Sequence, residues 1–384
     1  MKILHLIVDH QVIERTLGVY ESILPKTNEA VVFSPTKEKH THKHLTNHKD
    51  SLVVTAGKGA EVGSTFDFSS FTHIIAHYLT LDMIAFIKEA PANIHVTWEI
   101  YGWDLYNQFL TPNGFKLTYT DPAPYTKYGY WKKYMPNLYD IVFYLTGHYT
   151  EFSWQKKKAF DYICSRVDAL QHCCLYDSKY VEEYANRTIP SYEVFNYSLD
   201  EVLGNLKDVP FFDGKDIMVG NSASYSNNHL YVLNYLKKVG ISDDSRIVMP
   251  LSYGGSQKYA DKVQDSFMEV WGERVYTLRS YLPLHKYNKT FLCLKSMVLS
   301  AWRQESIGTA IMGFYLGIKV FMSERSPLYK WLKACGFIVY TIESATYEDL
   351  NTGLSESEKL QNRNKVLDKY DASIFEETIK YHFK

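Results

Sequence analysis

What most constrains this chain is an alternation, run through twice, of short β-branched or aromatic stretches with helical or turn-rich ones. In the first half the strand-like runs fall at 2–8, 30–34, 51–56, 72–78, 94–100 and 140–146, with a seventh at 191–197. In the second half they fall at 215–220, 246–252, 274–279, 296–302, 318–323 and 337–342. Strands separated by helices pair in parallel through crossover connections. Two such series predict two α/β, Rossmann-like doubly wound domains that face each other across a cleft. Residues 198–216 carry Gly, Pro and charge without a strand period, and read as the linker. The expected division is 1–200 for the first domain, 201–363 for the second, and 364–384 for a C-terminal helix that packs back on the first. A length of 384 residues suits two domains, and 46% hydrophobic residues supply a core for each.

Composition narrows the function classes. The formal net charge is -1, so no global basic field points to nucleic acid. Aromatics are abundant, with 32 Tyr, 20 Phe and 7 Trp. Such rings suit sugars and lipid headgroups, having an apolar face and a polar tip; drift in base composition would enrich the same residues. Cys164, Cys173, Cys174, Cys293 and Cys335 form no CxxC pair and are odd in number, as expected of free thiols in a reducing compartment. The opening "MKILHLIVDH" is interrupted by His5 and Asp9, and reads as a buried strand rather than a signal peptide. No run approaches the roughly 18 apolar residues of a spanning helix. The expectation is a cytoplasmic protein, at most attached to a membrane surface. His40, His42, His44 and His48 share the segment 37–50 with lysines and no strand or helix frame, which suits a solvated loop better than a metal site.

In open α/β sheets, ligands bind beyond the carboxyl ends of the strands. That rule directs attention to the turns after Val219, Pro250, Trp302 and Ser323, and in the first half to those after Val8, Tyr78 and Ile100. The first of these is unusual. After Gly220 come Asn221, Ser222, Ala223, Ser224, Tyr225, Ser226, Asn227, Asn228 and His229, then Leu230, Leu233 and Leu236 at a spacing of three, closed by Gly240. Ser226 or Asn227 is a suitable N-cap. A helix start offers N–H groups and a positive dipole end, and Gly220 admits close approach of a ligand. The turn therefore suits a phosphate held without lysine; a polar loop before an ordinary capped helix gives the same pattern. A second such turn carries Arg303, Gln304, Glu305, Ser306, Gly308 and Thr309, and its helix ends at Gly317. Two helix starts on one sheet edge suit a diphosphate. Arg303 beside Glu305 reads equally as an anion ligand or a plain ion pair. Tyr253, next to Gly254 and Gly255, is placed to stack on a base or sugar, and Glu324 to accept ribose or sugar hydroxyls.

The segments "VGNSASYSNNH", "VMPLSYG", "RQESIGT" and "GIKVFMSERSPLY" stand in the same order as donor-domain motifs of the TDP-N-acetylfucosamine:lipid II N-acetylfucosaminyltransferases, the 4-alpha-L-fucosyltransferase family, which the chain resembles over residues 70 to 335. "IYGWDLY" at 100–106 is similar to that family's Trp-Gly-x-Asp-Leu-Tyr segment, with Tyr101 in place of Trp; Glu305 stands in place of Gln. The resemblance implies a GT-B glycosyltransferase with the nucleotide sugar, TDP- or UDP-linked, in the second domain and a lipid-linked acceptor in the first. Gly220, Asn221, Ser222, Asn227, His229, Tyr253, Gln304, Gly308, Thr309 and Glu324 would then hold the donor. The chain contains no Asp-x-Asp motif, so no metal cofactor is expected, and helix dipoles and N–H groups would stabilise the departing nucleotide.

On the acceptor side Asp104 follows a strand, where it serves either as a base or acceptor ligand, or as a cap of the next helix. His77 is the rival base or a structural histidine. The segment 122–139 interleaves tyrosines with Lys127, Lys132 and Lys133, and Tyr130, Trp131, Lys132 and Lys133 are the expected membrane contact; an aromatic helix packed in the first domain is the alternative. The leading expectation is transfer of a deoxyamino sugar such as N-acetylfucosamine to a polyprenyl diphosphate-linked glycan at the cytoplasmic membrane face, during bacterial surface polysaccharide synthesis. A catalytically silent glycan- or partner-binding module and a nucleotide-sugar epimerase remain open beside it.

Overall fold

The structure is a computed structural model that describes residues 1–38, 43–146, 151–195 and 198–383. His40 and His42 and the end of the expected 191–197 strand lie outside the described residues. The chain forms two compact units: Met1–Phe115, Tyr134–Tyr197 and Ala372–Lys384 make the first, and Lys116–Lys133 with Ser198–Asp371 make the second.

The first unit holds β1 (Ile3–Ile7), β2 (Asn28–Phe33), β3 (Leu52–Val54), β4 (His73–His77), β5 (His95–Glu99), β6 (Ala169–His172) and β7 (Ser191–Glu193), in the order β3-β2-β1-β4-β5-β6-β7. The second holds β8 (Asp216–Val219), β9 (Ile247–Pro250), β10 (Val275–Leu278), β11 (Leu294–Leu299), β12 (Lys319–Met322) and β13 (Tyr340–Thr341), in the order β10-β9-β8-β11-β12-β13. The strand pairs are parallel throughout. Both sheets have the doubly wound arrangement in which strand order reverses beside the first strand, between β1 and β4 and between β8 and β11. The central strands are buried along their whole length, which is why they read as continuous apolar runs.

Three expectations change. Residues 140–146 are not a strand but the second half of the Pro136–Leu145 helix. A short apolar run has no period that separates buried strand from helix, and Pro136 in the first turn is pre-set for a helix start. The strand that takes this place in the sheet is β6, whose sequence "ALQH" lacks a β-branched residue. The boundary also moves. Residues 116–133 belong to the second unit, where Tyr119 N–H donates to Asn228 Oδ1 at 2.7 Å, Lys258 Nζ donates to the Pro124 carbonyl at 2.8 Å, and Tyr225 OH donates to the Tyr125 carbonyl at 3.3 Å. Finally, the tail is two helices that part at Asp371. Glu356–Tyr370 stays with the second unit, whereas Ala372–Phe383 lies on the first, where Phe375, Ile379 and Phe383 pack with Ile3, Tyr20 and Ile75.

Candidate functional site

In the second unit the reversal of strand order brings the turn after β8 beside the turn after β11. Gly220 leaves β8 with φ +70, and its N–H donates to the Val298 carbonyl at 2.9 Å. A Cβ there would meet His229 Nε2 at 2.6 Å, so the position is closed to a side chain both by conformation and by space. A 3-10 turn, Tyr225–Asn227, precedes the His229–Val239 helix. Neither Ser226 nor Asn227 caps that helix. The cap is Asn228 in the left-handed conformation, with φ +52, and its side chain turns away to Tyr119 N, the Leu117 carbonyl and the Ser300 carbonyl. The facing Ile307–Leu316 helix starts from Ser306, also left-handed at φ +71 and also without a side-chain cap. Two uncapped helix starts thus share one sheet edge.

Ser222 and Asn227 are spent on fastening the turn. Asn221 N–H donates to Asn227 Oδ1 at 3.1 Å, and Asn227 Nδ2 donates to Ser222 Oγ at 3.1 Å. The turns are also tied to each other by Glu305. Ser226 Oγ donates to Glu305 Oε2, Asn227 Nδ2 lies 3.4 Å from Oε1, and the Arg303 guanidinium lies 3.1 Å from Oε2. An ion pair and a ligand-facing guanidinium were equal readings of Arg303; the structure shows the ion pair, with Arg303 Nε left over. The β9 turn joins them, since Ala223 N–H donates to the Tyr253 carbonyl at 2.7 Å. Tyr253 itself is exposed, as is Glu324, while Gln304 is buried and Thr309 half-buried. A Cβ at Gly308 would meet nothing within 4 Å, so the helix start opens on free space. The β12 turn is held by Glu343, which accepts from Ser323 Oγ at 2.6 Å, Glu324 N–H at 3.1 Å and Tyr231 OH at 2.9 Å. Nothing in the sequence around Glu343 marks it for this role.

Six buried polar atoms on the two facing turns have no hydrogen-bond partner: Asn221 Oδ1, His229 Nε2, Ser300 Oγ, Trp302 Nε1, Arg303 Nε and Ser306 Oγ. Buried polar groups are ordinarily paired, so such a concentration marks a place where something else completes the bonding. Burial pushes the His229 imidazole down to about 4, so it is neutral at physiological pH, with Nδ1 3.3 Å from Tyr259 OH. Beside this edge the Arg325 guanidinium lies 4.2 Å from the Trp302 ring centroid and the Lys116 ammonium 5.6 Å from it.

In the first unit the structure moves both proposed bases inward. Asp104 is wholly buried. Its carboxylate accepts from Trp98 Nε1 at 2.9 Å, Leu79 N–H at 3.1 Å and Tyr101 N–H at 3.0 Å. Burial raises it to about 6, against these hydrogen bonds, which lower it. Asp104 therefore ties the turns after β4 and β5 together instead of facing a substrate hydroxyl. What it places at the surface is Trp103, stacked on Tyr78 with centroids 5.5 Å apart and planes 6° apart. His77 is also buried, between Glu99 Oε2 at 2.7 Å, off the hydrogen-bond direction, and His5 Nδ1 at 2.9 Å; His5 reaches Asn28 Oδ1 at 3.0 Å. This buried file spans β2, β1, β4 and β5, and gives His77 a structural place. Tyr130, Trp131 and Lys132 are exposed on the Gly129–Tyr134 helix, and Lys133 pairs with Asp121 at 2.6 Å. Among the described residues no group of three His, Cys, Asp or Glu side chains is arranged to hold a metal ion.

The whole chain is similar in fold to solved glycosyltransferases. HepE of Anabaena, in complex with UDP, matches with a TM-score of 0.61 and 11% identity, covering 99% of each chain. HepE in complex with UDP-glucose matches with a TM-score of 0.59 and 11% identity over 98% of each chain. Sucrose-phosphate synthase from Thermosynechococcus elongatus matches with a TM-score of 0.62 and 9% identity, covering 99% of this chain and 98% of that one. No curated protein matches the chain in sequence. The family model of the 4-alpha-L-fucosyltransferases, glycosyl transferase group 56, matches residues 162–377, more than half of the 384-residue chain. This match places the chain in the 4-alpha-L-fucosyltransferase family, and its two doubly wound parallel-sheet domains, with these structural neighbours, make it a glycosyltransferase of the GT-B fold.

Proposed function

We propose that the protein transfers a deoxyamino sugar such as N-acetylfucosamine from a TDP- or UDP-linked donor to a polyprenyl diphosphate-linked glycan, in the assembly of a bacterial surface polysaccharide. The observation that carries this reading is the set of six unpartnered polar atoms on the turns after β8 and β11. Five of the six, Arg303 Nε–H, Trp302 Nε1–H, the Ser300 and Ser306 hydroxyls and a neutral His229, are groups that donate to phosphate oxygens, whereas Asn221 Oδ1 is an acceptor, suited to a ligand hydroxyl or N–H. Two uncapped helix starts add a positive potential without any metal ion. As the glycosidic bond to the diphosphate breaks, the negative charge on the leaving group grows where these donors converge. UDP in complexes of HepE supports a nucleotide ligand for the shared fold. On the acceptor side, Trp103 stacked on Tyr78 offers an aromatic face to a sugar ring, and Asp104 fixes the turns that carry both. Tyr130, Trp131 and Lys132 supply a peripheral contact with the cytoplasmic membrane face, where such an acceptor resides.

The test is a thermal-shift panel of TDP, UDP, GDP and ADP, with and without EDTA. A ligand at about 100 times its dissociation constant adds about 2.7 kcal/mol to stability. The expected result is a selective shift with TDP or UDP that EDTA leaves unchanged. No shift with any nucleotide removes the donor site. A shift abolished by EDTA overturns the metal-free part.

A further inference from the structure

The Pro136–Leu145 helix carries apolar residues on both sides: Tyr139, Val142 and Phe143 are partly buried, and others face outward. Asp140 is buried, while Leu138, Ile141 and Leu145 are 48%, 47% and 76% exposed. Spacings of three and four residues put these three aliphatic side chains on one helical face. Tyr144, 61% exposed, flanks them. Single exposed apolar residues are common, but an aliphatic helix face turned outward over an inward carboxylate marks a surface meant to be covered. The patch continues into the Ser153–Arg166 helix of the same unit. Tyr144 lies 6.3 Å from Phe152, and Phe152 lies 6.3 Å from Trp154, which is 57% exposed. The ammonium of Lys158 sits 5.2 Å from the Trp154 ring, and Lys157 beside it is exposed.

We propose that this face docks on an anionic lipid bilayer, with Leu138, Ile141 and Leu145 in the boundary between headgroups and acyl chains, Trp154 at headgroup level, and Lys157 and Lys158 against lipid phosphates. The charge pattern selects the occupant. An aliphatic strip edged by an indole and two exposed ammonium groups complements an anionic interface, where apolar insertion and electrostatic attraction add. Ten residues of helix span about 15 Å, so the element lies in the plane of the interface rather than across it; no described helix is long and apolar enough to cross a membrane. The inference deepens the lipid-linked acceptor reading and rests on it, and it assigns the anchoring to residues separate from the Tyr130–Lys133 contact.

The experiment is sedimentation of the full chain with vesicles of phosphatidylcholine, alone or mixed with phosphatidylglycerol. The UDP and TDP thermal shifts are read on the same samples, so that failure of the donor reading shows separately. The wild type is expected to partition onto the mixed vesicles and far less onto phosphatidylcholine alone. The double variant Ile141→Ser, Leu145→Ser is expected to bind the mixed vesicles about tenfold more weakly, with its melting temperature and nucleotide shift unchanged. The double variant Lys157→Gln, Lys158→Gln, which removes no buried surface, is expected to weaken binding at low salt and flatten its salt dependence. Equal partitioning of the wild type and both double variants overturns the proposal. So does a wild type that ignores vesicles but forms a dimer that Ile141→Ser, Leu145→Ser dissociates, which would make a second copy the occupant.

Discussion

Glu305 is the residue on which the proposed donor site turns. Its carboxylate takes up Ser226, Asn227 and the Arg303 ion pair, donors that would otherwise be available to a diphosphate. A negative charge at a helix start competes with an anionic ligand at the same place. Glu305→Gln keeps the size and an acceptor for Ser226 but removes the charge. The expected outcome is tighter binding of TDP or UDP by about fivefold, corresponding to about 1 kcal/mol, measured by titration calorimetry. An unchanged affinity would place the diphosphate away from these turns. His229 gives a second residue-scale outcome. Its ordinary value is 6.5 and burial brings it to about 4. Below about 6.5 the unfolded chain takes up a proton that the folded state refuses, so His229 contributes stability that is complete above 6.5 and lost as pH falls toward 4, about 3 kcal/mol in all. The difference in unfolding free energy between the wild type and His229→Gln is therefore expected to shrink by that amount between pH 7 and pH 4, in urea titrations followed by circular dichroism. A difference that stays constant with pH would mean that His229 is not held neutral.

At the scale of elements, Asp104 shows how one buried carboxylate can organise a surface. Three donors from three places, Trp98, Leu79 and Tyr101, converge on it. Asp104→Asn keeps the shape but turns an amide N–H toward some of those donors, at a cost of about 2 kcal/mol. The first unit is expected to lose that much stability, the Tyr78–Trp103 stack to loosen with a change in tryptophan fluorescence, and the nucleotide shift to stay as in the wild type. A lost nucleotide shift would tie Asp104 to the donor. The same region shows what the sequence made legible. The ends of β4, β5, β8, β9 and β12 are legible from apolar runs that stop at turn residues, and with them most of the turns the proposed site uses; β11 ends at Leu299, before the expected Trp302. The turn at Gly220 stands out in the sequence by its Ser and Asn crowding, and much of that crowding fastens the turn itself, through Asn221 N–H to Asn227 and Asn227 to Ser222. What was not readable is direction and depth. "GWDLY" reads alike whether the aspartate faces a cleft or the core. "SNNH" does not reveal that Asn228, not Asn227, starts the helix, because that depends on a left-handed residue whose side chain finds partners at Leu117 and Tyr119, over a hundred positions away. The apolar run at 140–146 reads as a strand because strand and helix bury short runs equally; its outward face is a property of the surroundings.

The whole molecule consists of two units that the chain does not build in sequence order. Residues 116–133 and 198–371 complete the second unit, and the last helix completes the first. All the turns assigned to the donor, after β8, β9, β11 and β12, are on the second sheet, and the Trp103 platform is on the first. On the proposed reading, the polar partners of a nucleoside diphosphate lie within the second unit. Hydrogen exchange followed by mass spectrometry is expected to show this directly. With saturating TDP or UDP, the peptides over 220–229 and 300–309 should gain protection. Peptides over 116–120 should follow them, because Asn228 bonds Leu117 and Tyr119 at the root of the same turn. Peptides over β1, β4 and β5 should exchange as they do without nucleotide, since these strands belong to the first unit, where His5 bonds His77 and Glu99 is buried beside them. Protection that appears first over 78–106 would put the nucleotide on the aromatic platform instead, and would exchange the roles assigned to the two units.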